Sequence, residues 1–213
     1  MQPYYEKTLQ LIEDEASAGD ILDFKLAREE FHKFTGQFDE SEPWYEIRMT
    51  MFMDWYLLDR KGTDGLTPAA RYLNKYCQTL DREKIEQINN FMVTLRSMFQ
   101  IMKIDGTTLL LNDLISGGRW LTYWTIPLAG LKEGRIVNTR IIRSGNTLFA
   151  GRGTVLHPQE AHDSIFDIID RAEQEQMPAL HVSSYMDKIN LKLNRYSNVK
   201  IKHVYKYPAD AIF

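Results

Sequence analysis

The sequence predicts an α+β fold: N-terminal helices, a central small antiparallel β-barrel or curled sheet of about five strands, and C-terminal helices ending in a basic tail strand. Three observations carry this. Apolar residues recur at helical spacing through roughly the first hundred positions. From Gly106 to Leu156 the pattern turns to short alternating runs broken by glycines. After His157 the helical spacing returns. These changes divide the chain into a helical region (1–98), a β block (99–156) and a C-terminal region (157–213), expected to form one compact unit.

Tyr5, Leu9 and Ile12 share a face of a first helix, Tyr4 to Ala16. Gly19-Asp20 separates it from a second, Ile21 to Phe34, whose apolar side is predicted to hold Ile21, Phe24, Leu26 and Phe31. Ser41 is a candidate cap for a third helix, Trp44 to Arg60. That helix is apolar nearly all round, so it is expected at the centre of the core. Thr67-Pro68 opens a fourth helix. Asp81 caps a fifth, carrying Ile85, Ile88, Phe91, Met92, Leu95 and Met98 at intervals of three and four.

The strands are read at Ser97–Ile104, Thr107–Leu111, Arg119–Pro127, Arg135–Arg143 and Thr147–Leu156. Asp105-Gly106 and Ser144-Gly145-Asn146 mark hairpin turns. Gly151 and Gly153 in the last strand predict a bend or the close approach of another backbone. His157-Pro158 starts a helix to about Gln176, and another spans Leu180 to Arg195. From Val199 to Tyr207 apolar and basic residues alternate, predicting the tail strand.

At 213 residues, with 44% hydrophobic and 12% aromatic content, the chain has enough apolar mass for a buried core. No run of about 18 apolar residues crosses a membrane. The first residues lack the basic start and apolar stretch of a signal peptide. The single cysteine, Cys77, excludes an internal disulfide and reads as a small apolar helix residue. Together these predict a cytoplasmic protein without membrane insertion.

The net charge of −3 conceals an asymmetry. Residues 1–60 hold 6 basic and 14 acidic side chains, whereas residues 179–213 hold 6 and 2. Either the two ends dock on each other, or both are solvated faces, or the basic end meets an anionic partner.

Catalytic signatures are missing. There is no nucleotide-binding glycine motif, no Gly-x-Ser-x-Gly and no His-Glu-x-x-His. Glu29-x-x-His32 has di-iron spacing but no second copy. One cysteine and scattered histidines build no zinc site, so neither a cofactor nor a metal is expected. Asp54 and Asp59 lie about 140° apart around a helix, which makes them a poor carboxylate pair.

The run FMDWYLLDRKGTDGLTPAARYL, Phe52 to Leu73, resembles a group of uncharacterised bacterial proteins. These share an aromatic-rich WF..DR helix, a glycine loop and a TP…RYL helix. LNDLISGG, FAGRGTVLHPQEA and LNRYSNVKIKHVY resemble the same group. The resemblance implies no activity, cofactor or site residue.

Three functions are carried forward. The first is a non-enzymatic binding or regulatory protein whose partner is another protein. The second is a nucleic-acid or nucleotide-binding module on the β block. There Arg135, Arg140, Arg143 and Arg152 would meet phosphates, and Trp120 or Trp124 would stack on bases. His157, beside a predicted helix N-terminus, is a further candidate contact for an anion. The third is an enzyme whose site assembles from scattered residues such as Asp59, Arg96 and His157.

Overall fold

The computed structural model describes residues 4–19, 21–124, 129–196 and 199–207. Among them, eight α-helices surround a six-stranded, mostly antiparallel curled sheet.

Five helices come first: α1 (Tyr4–Ser17), α2 (Ile21–Thr35), α3 (Tyr45–Leu58), α4 (Pro68–Tyr76) and α5 (Arg82–Phe91). α3 is central, because its side chains are buried on every side. Phe52 and Tyr56 on α3 meet Phe24 edge-on, with ring centroids 5.2 and 5.4 Å away. The Thr67 hydroxyl accepts from the Ala70 amide at 3.2 Å, and an Asp81 carboxylate oxygen accepts from the Lys84 amide at 2.8 Å. Both are side-chain caps that satisfy first-turn N–H groups. Ser41 does not cap α3. Its amide donates to Asp39 at 2.9 Å and its hydroxyl is drawn to the same oxygen, so no side chain caps α3.

The sheet consists of β1 (Leu95–Asp105), β2 (Thr108–Asp113), β3 (Arg119–Tyr123), β4 (Ile136–Ser144), β5 (Thr147–Ala150) and β6 (Val155–Leu156), in the order β1-β2-β3-β5-β4-β6. β1 also pairs with β4, so the strands run round a ring. Among the described residues β3 meets β5 through the single pair Tyr123 and Phe149, so the strands run round without forming a true barrel. Residues 125–127 of the predicted third strand lie outside the described residues.

Two sequence predictions fail here for tertiary reasons. Leu95 and Met98 continue the spacing of α5 but belong to β1, where they pair with Ile141 and Asn138. The predicted last strand divides in two. A Cβ added to Gly151 would lie 3.1 Å from the Arg140 carbonyl oxygen, and one added to Gly153 would lie 2.8 Å from Met51 Cγ and 3.1 Å from its Cα. The chain leaves the sheet between these glycines to pass against β4 and α3.

A 3₁₀ turn (Gln159–Ala161) then precedes α6 (His162–Gln174), α7 (Ala179–Arg195) and α8 (Ile201–Val204). The predicted helix at His157-Pro158 therefore starts later, with the 3₁₀ turn intervening. The predicted tail strand is instead the single helical turn α8. Val204 and Tyr205 are adjacent and both buried, which strand alternation does not allow when only one face is covered.

Three apolar clusters result. One joins the N-terminal helices to Ile142, Val155 and Leu191; a second joins Met98 and Ile136 to α6, α7 and α8; the third fills the ring with Phe99, Ile101, Leu111, Val137 and Ile141. β4 is buried from Ile136 to Ile142 and contributes to all three.

Between the clusters lies a buried polar network. Asp187 on α7 accepts from Arg96 Nη2 at 2.6 Å and from Asn138 Nδ2 at 2.9 Å. Its main-chain oxygen accepts from Arg48 Nη1 at 3.0 Å, and Arg48 Nη2 reaches Asn190 at 3.0 Å. This ties α3, β1, β4 and α7 together with hydrogen-bonded charges. The acidic and basic ends of the chain also meet, with Arg195 Nε 2.5 Å from Glu42.

Asp187→Ala is expected to lower stability by about 3–5 kcal/mol in urea unfolding, because it leaves buried guanidinium charge without its counter-charge. Gly153→Ala is expected to lower it by about 1–3 kcal/mol, because the added methyl meets α3 backbone.

Candidate binding site

The residues read from the sequence as ligand contacts do not form one surface. Arg140 is 1% exposed, with one guanidinium nitrogen 3.0 Å from Asp59 Oδ1 and the other bonded to Asp59 Oδ2. Arg135 donates to the His157 carbonyl at 2.8 Å. Arg152 lies 3.9 Å from Glu13. Trp120 and Trp124 pack into the ring. Of the seven candidates only Arg143 is exposed, and its Nε donates to the Gly145 carbonyl at 3.0 Å. Arg96 and Asp59, considered for catalysis, are each held in an ion pair.

Arg140 and Arg152 do share a neighbour, Asp54. Its carboxylate is buried, and neither oxygen has a hydrogen-bond partner among the described residues. Burial pushes its pKa up, against the pull of Arg140 and Arg152.

His157 is fully buried, with Nδ1 2.8 Å from the Tyr205 hydroxyl. Burial, followed by the positive charge of Arg48, His162 and Arg135, holds its pKa down to about 3. The ring is therefore neutral at physiological pH and locks α8 to the sheet.

The open site is elsewhere. A groove of about 570 Å³ runs between α1, α2, α4 and the loop before α4. Ile12, Ala16, Tyr56 and Tyr72 contribute to its lining, and Leu22 and Leu26 stand on its α2 side. Leu22 is 64% and Leu26 47% exposed, and Ile21 beside them is 69% exposed. The sequence places Ile21 and Leu26 on the inward side of α2. The structure turns them outward because Ala27 and Phe31 take the core face. The missed signal is a second apolar stripe: positions 22 and 26 lie roughly opposite 24 and 31 around the helix.

The rim is charged, and its cations are already engaged. Lys75 meets Glu15 at 2.5 Å, Arg71 meets Asp64 at 2.7 Å, and Arg60 meets Asp23 and Glu30 at 2.8 and 2.7 Å. α1 and α2 together carry seven carboxylates against four Lys or Arg. The groove is thus apolar within, and its lining carries Glu15, Asp23 and Asp64 against Arg71 and Lys75, a small excess of negative charge.

Among the described residues, no group of His, Cys, Asp and Glu side chains is arranged to hold a metal ion, and no helix is long and apolar enough to cross a membrane. Cys77, read as a helix residue, is the exposed C-cap of α4. No family model, curated protein or solved structure matches the chain.

His157 predicts a specific acid sensitivity. Its folded pKa lies below the unfolded value, so the unfolded state takes up the proton first. The stability it contributes is complete above pH 6.5 and is lost as the pH falls toward about 3. From pH 7 to pH 5 this residue accounts for a loss of about 2 kcal/mol. Urea unfolding at the two pH values is expected to show that loss in the wild type and a smaller pH dependence in His157→Gln.

Proposed function

We propose that this chain is a non-enzymatic binding protein, working in the cytoplasm, whose partner is another protein. The partner segment is an amphipathic helix with apolar residues on one side and basic residues flanking them. One observation carries the reading: exposed leucines on α2 stand beside a groove with an apolar interior. Burying each of these side chains contributes on the order of 1–2 kcal/mol. The lining's three carboxylates against two cations favour a basic partner over an acidic one. A helix laid in a groove presents such anchors at i, i+3, i+4 and i+7.

The nucleic-acid alternative has less support, because six of its seven proposed contacts are buried or half-buried. A catalytic reading would need two of Asp59, Arg96 and His157 to be accessible together. Asp59 and Arg96 are paired within the protein, and His157 is fully buried.

The test is fluorescence anisotropy with two labelled amphipathic peptides of about 18 residues, one Leu/Lys and one Leu/Glu. The Leu/Lys peptide is expected to bind, with affinity that falls as salt is raised. Leu22→Glu/Leu26→Glu is expected to weaken it at least about tenfold, or about 1.4 kcal/mol. Failure of the Leu/Lys peptide to bind, or equal binding by wild type and variant, would overturn the proposal.

A further inference from the structure

The basic end of the chain builds a second concavity, independent of the groove. α6 and residues 201–207 line a pocket of about 350 Å³, with Ser164, Asp167, Arg171, Lys202, Lys206 and Tyr207 among its lining residues. That volume falls in the range of small-ligand sites, about 300–1,000 Å³.

Its charges differ from those of the groove. No carboxylate among the described residues lies within ion-pair distance of Arg171, Lys202 or Lys206, whereas the basic residues on the groove rim are paired. Arg171 is positioned by an aromatic ring instead, its guanidinium carbon 5.8 Å from the centre of Tyr207. Tyr207 is held in turn by a hydrogen bond from its hydroxyl to Glu175. The Lys206 carbonyl accepts from Tyr185 on α7, which anchors that segment. Three cations and Asp167 leave the lining with a net charge of about +2, matching a phosphate monoester, which carries −1.5 to −2 at neutral pH. Arg171 supplies a planar fork for two oxygens, the lysines supply compact charge, and Ser164 supplies a hydroxyl donor.

We infer that the pocket between α6 and α8 binds the dianionic phosphate of a small phosphorylated compound. A volume of about 350 Å³ favours a compact molecule over an extended polyanion. Tyr207 at its edge offers a ring surface to the ester portion.

Isothermal titration calorimetry on the full chain tests this with ribose 5-phosphate, inorganic phosphate, dimethyl phosphate and ribose. Ribose 5-phosphate is expected to bind with a dissociation constant below about 1 mM. Dimethyl phosphate, a monoanion, should bind at least about tenfold more weakly, and ribose should not bind. Arg171→Gln/Lys206→Gln removes only exposed side chains and should abolish the heat while leaving the thermal unfolding midpoint unchanged. Leu22→Glu/Leu26→Glu should bind ribose 5-phosphate like the wild type, so the pocket and the groove stand or fall separately. No heat with ribose 5-phosphate, equal affinity in the Arg171/Lys206 variant, or tighter binding of inorganic phosphate than of the ester would each overturn the assignment.

Discussion

The carboxylate of Asp187 is the point on which the packing turns. A buried negative charge is tolerable only when donors surround it. Arg96 comes from β1, Asn138 from β4, and Arg48 reaches the Asp187 main-chain oxygen from α3. Each donor belongs to a different element. α7 can therefore seat on the sheet only when α3 is also in place, and this couples the N-terminal helices to the C-terminal ones. Apolar contact alone would allow α7 to slide, whereas these directional bonds fix its register.

β4 carries that coupling through the molecule. Its ring-facing residues, Val137 and Ile141, fill the inside of the curled sheet. The opposite face runs from Ile136 in the C-terminal cluster, through Asn138 at the network, to Arg140 paired with Asp59 and Ile142 in the N-terminal cluster. A strand covered on both faces loses its exposed polar alternation. That is why Asn138, Thr139 and Arg140 in β4 are structural: each is buried with a partner. The two glycines that end β5 serve the same packing, since only a residue without Cβ lets the chain pass so near Met51 and Arg140.

Outside this interior, two surface regions differ in character. Around α1 and α2 the surface is acidic and holds exposed leucines beside a groove. Around α6 and α8 the cations have no carboxylate partner among the described residues, and they line a polar pocket. The charge asymmetry of the chain thus appears both as contact between its ends, at Arg195 and Glu42, and as two separate surfaces.

Much of the architecture was legible in the linear chain because local chemistry decides it. Thr67-Pro68 and Asp81 announce helix starts by their capping groups, glycines mark both hairpin turns, and the aromatic run of α3 can only be core. Burial was not legible in the same way. Arginine on a strand reads as a ligand contact until an aspartate 81 positions away is brought against it. His157 reads as a surface junction until Tyr205 covers it. Leu95 and Met98 continue a helical period but are taken by β4, and the alternating tail curls into α8 because Val204 and Tyr205 both find cover. The sequence by itself determined the α+β class, most element boundaries and the split of charge. Only the tertiary structure decided which charged and aromatic groups are spent inside and which face solvent. The reason is physical: capping and periodicity act within a few residues, whereas desolvation of a charge depends on partners far along the chain.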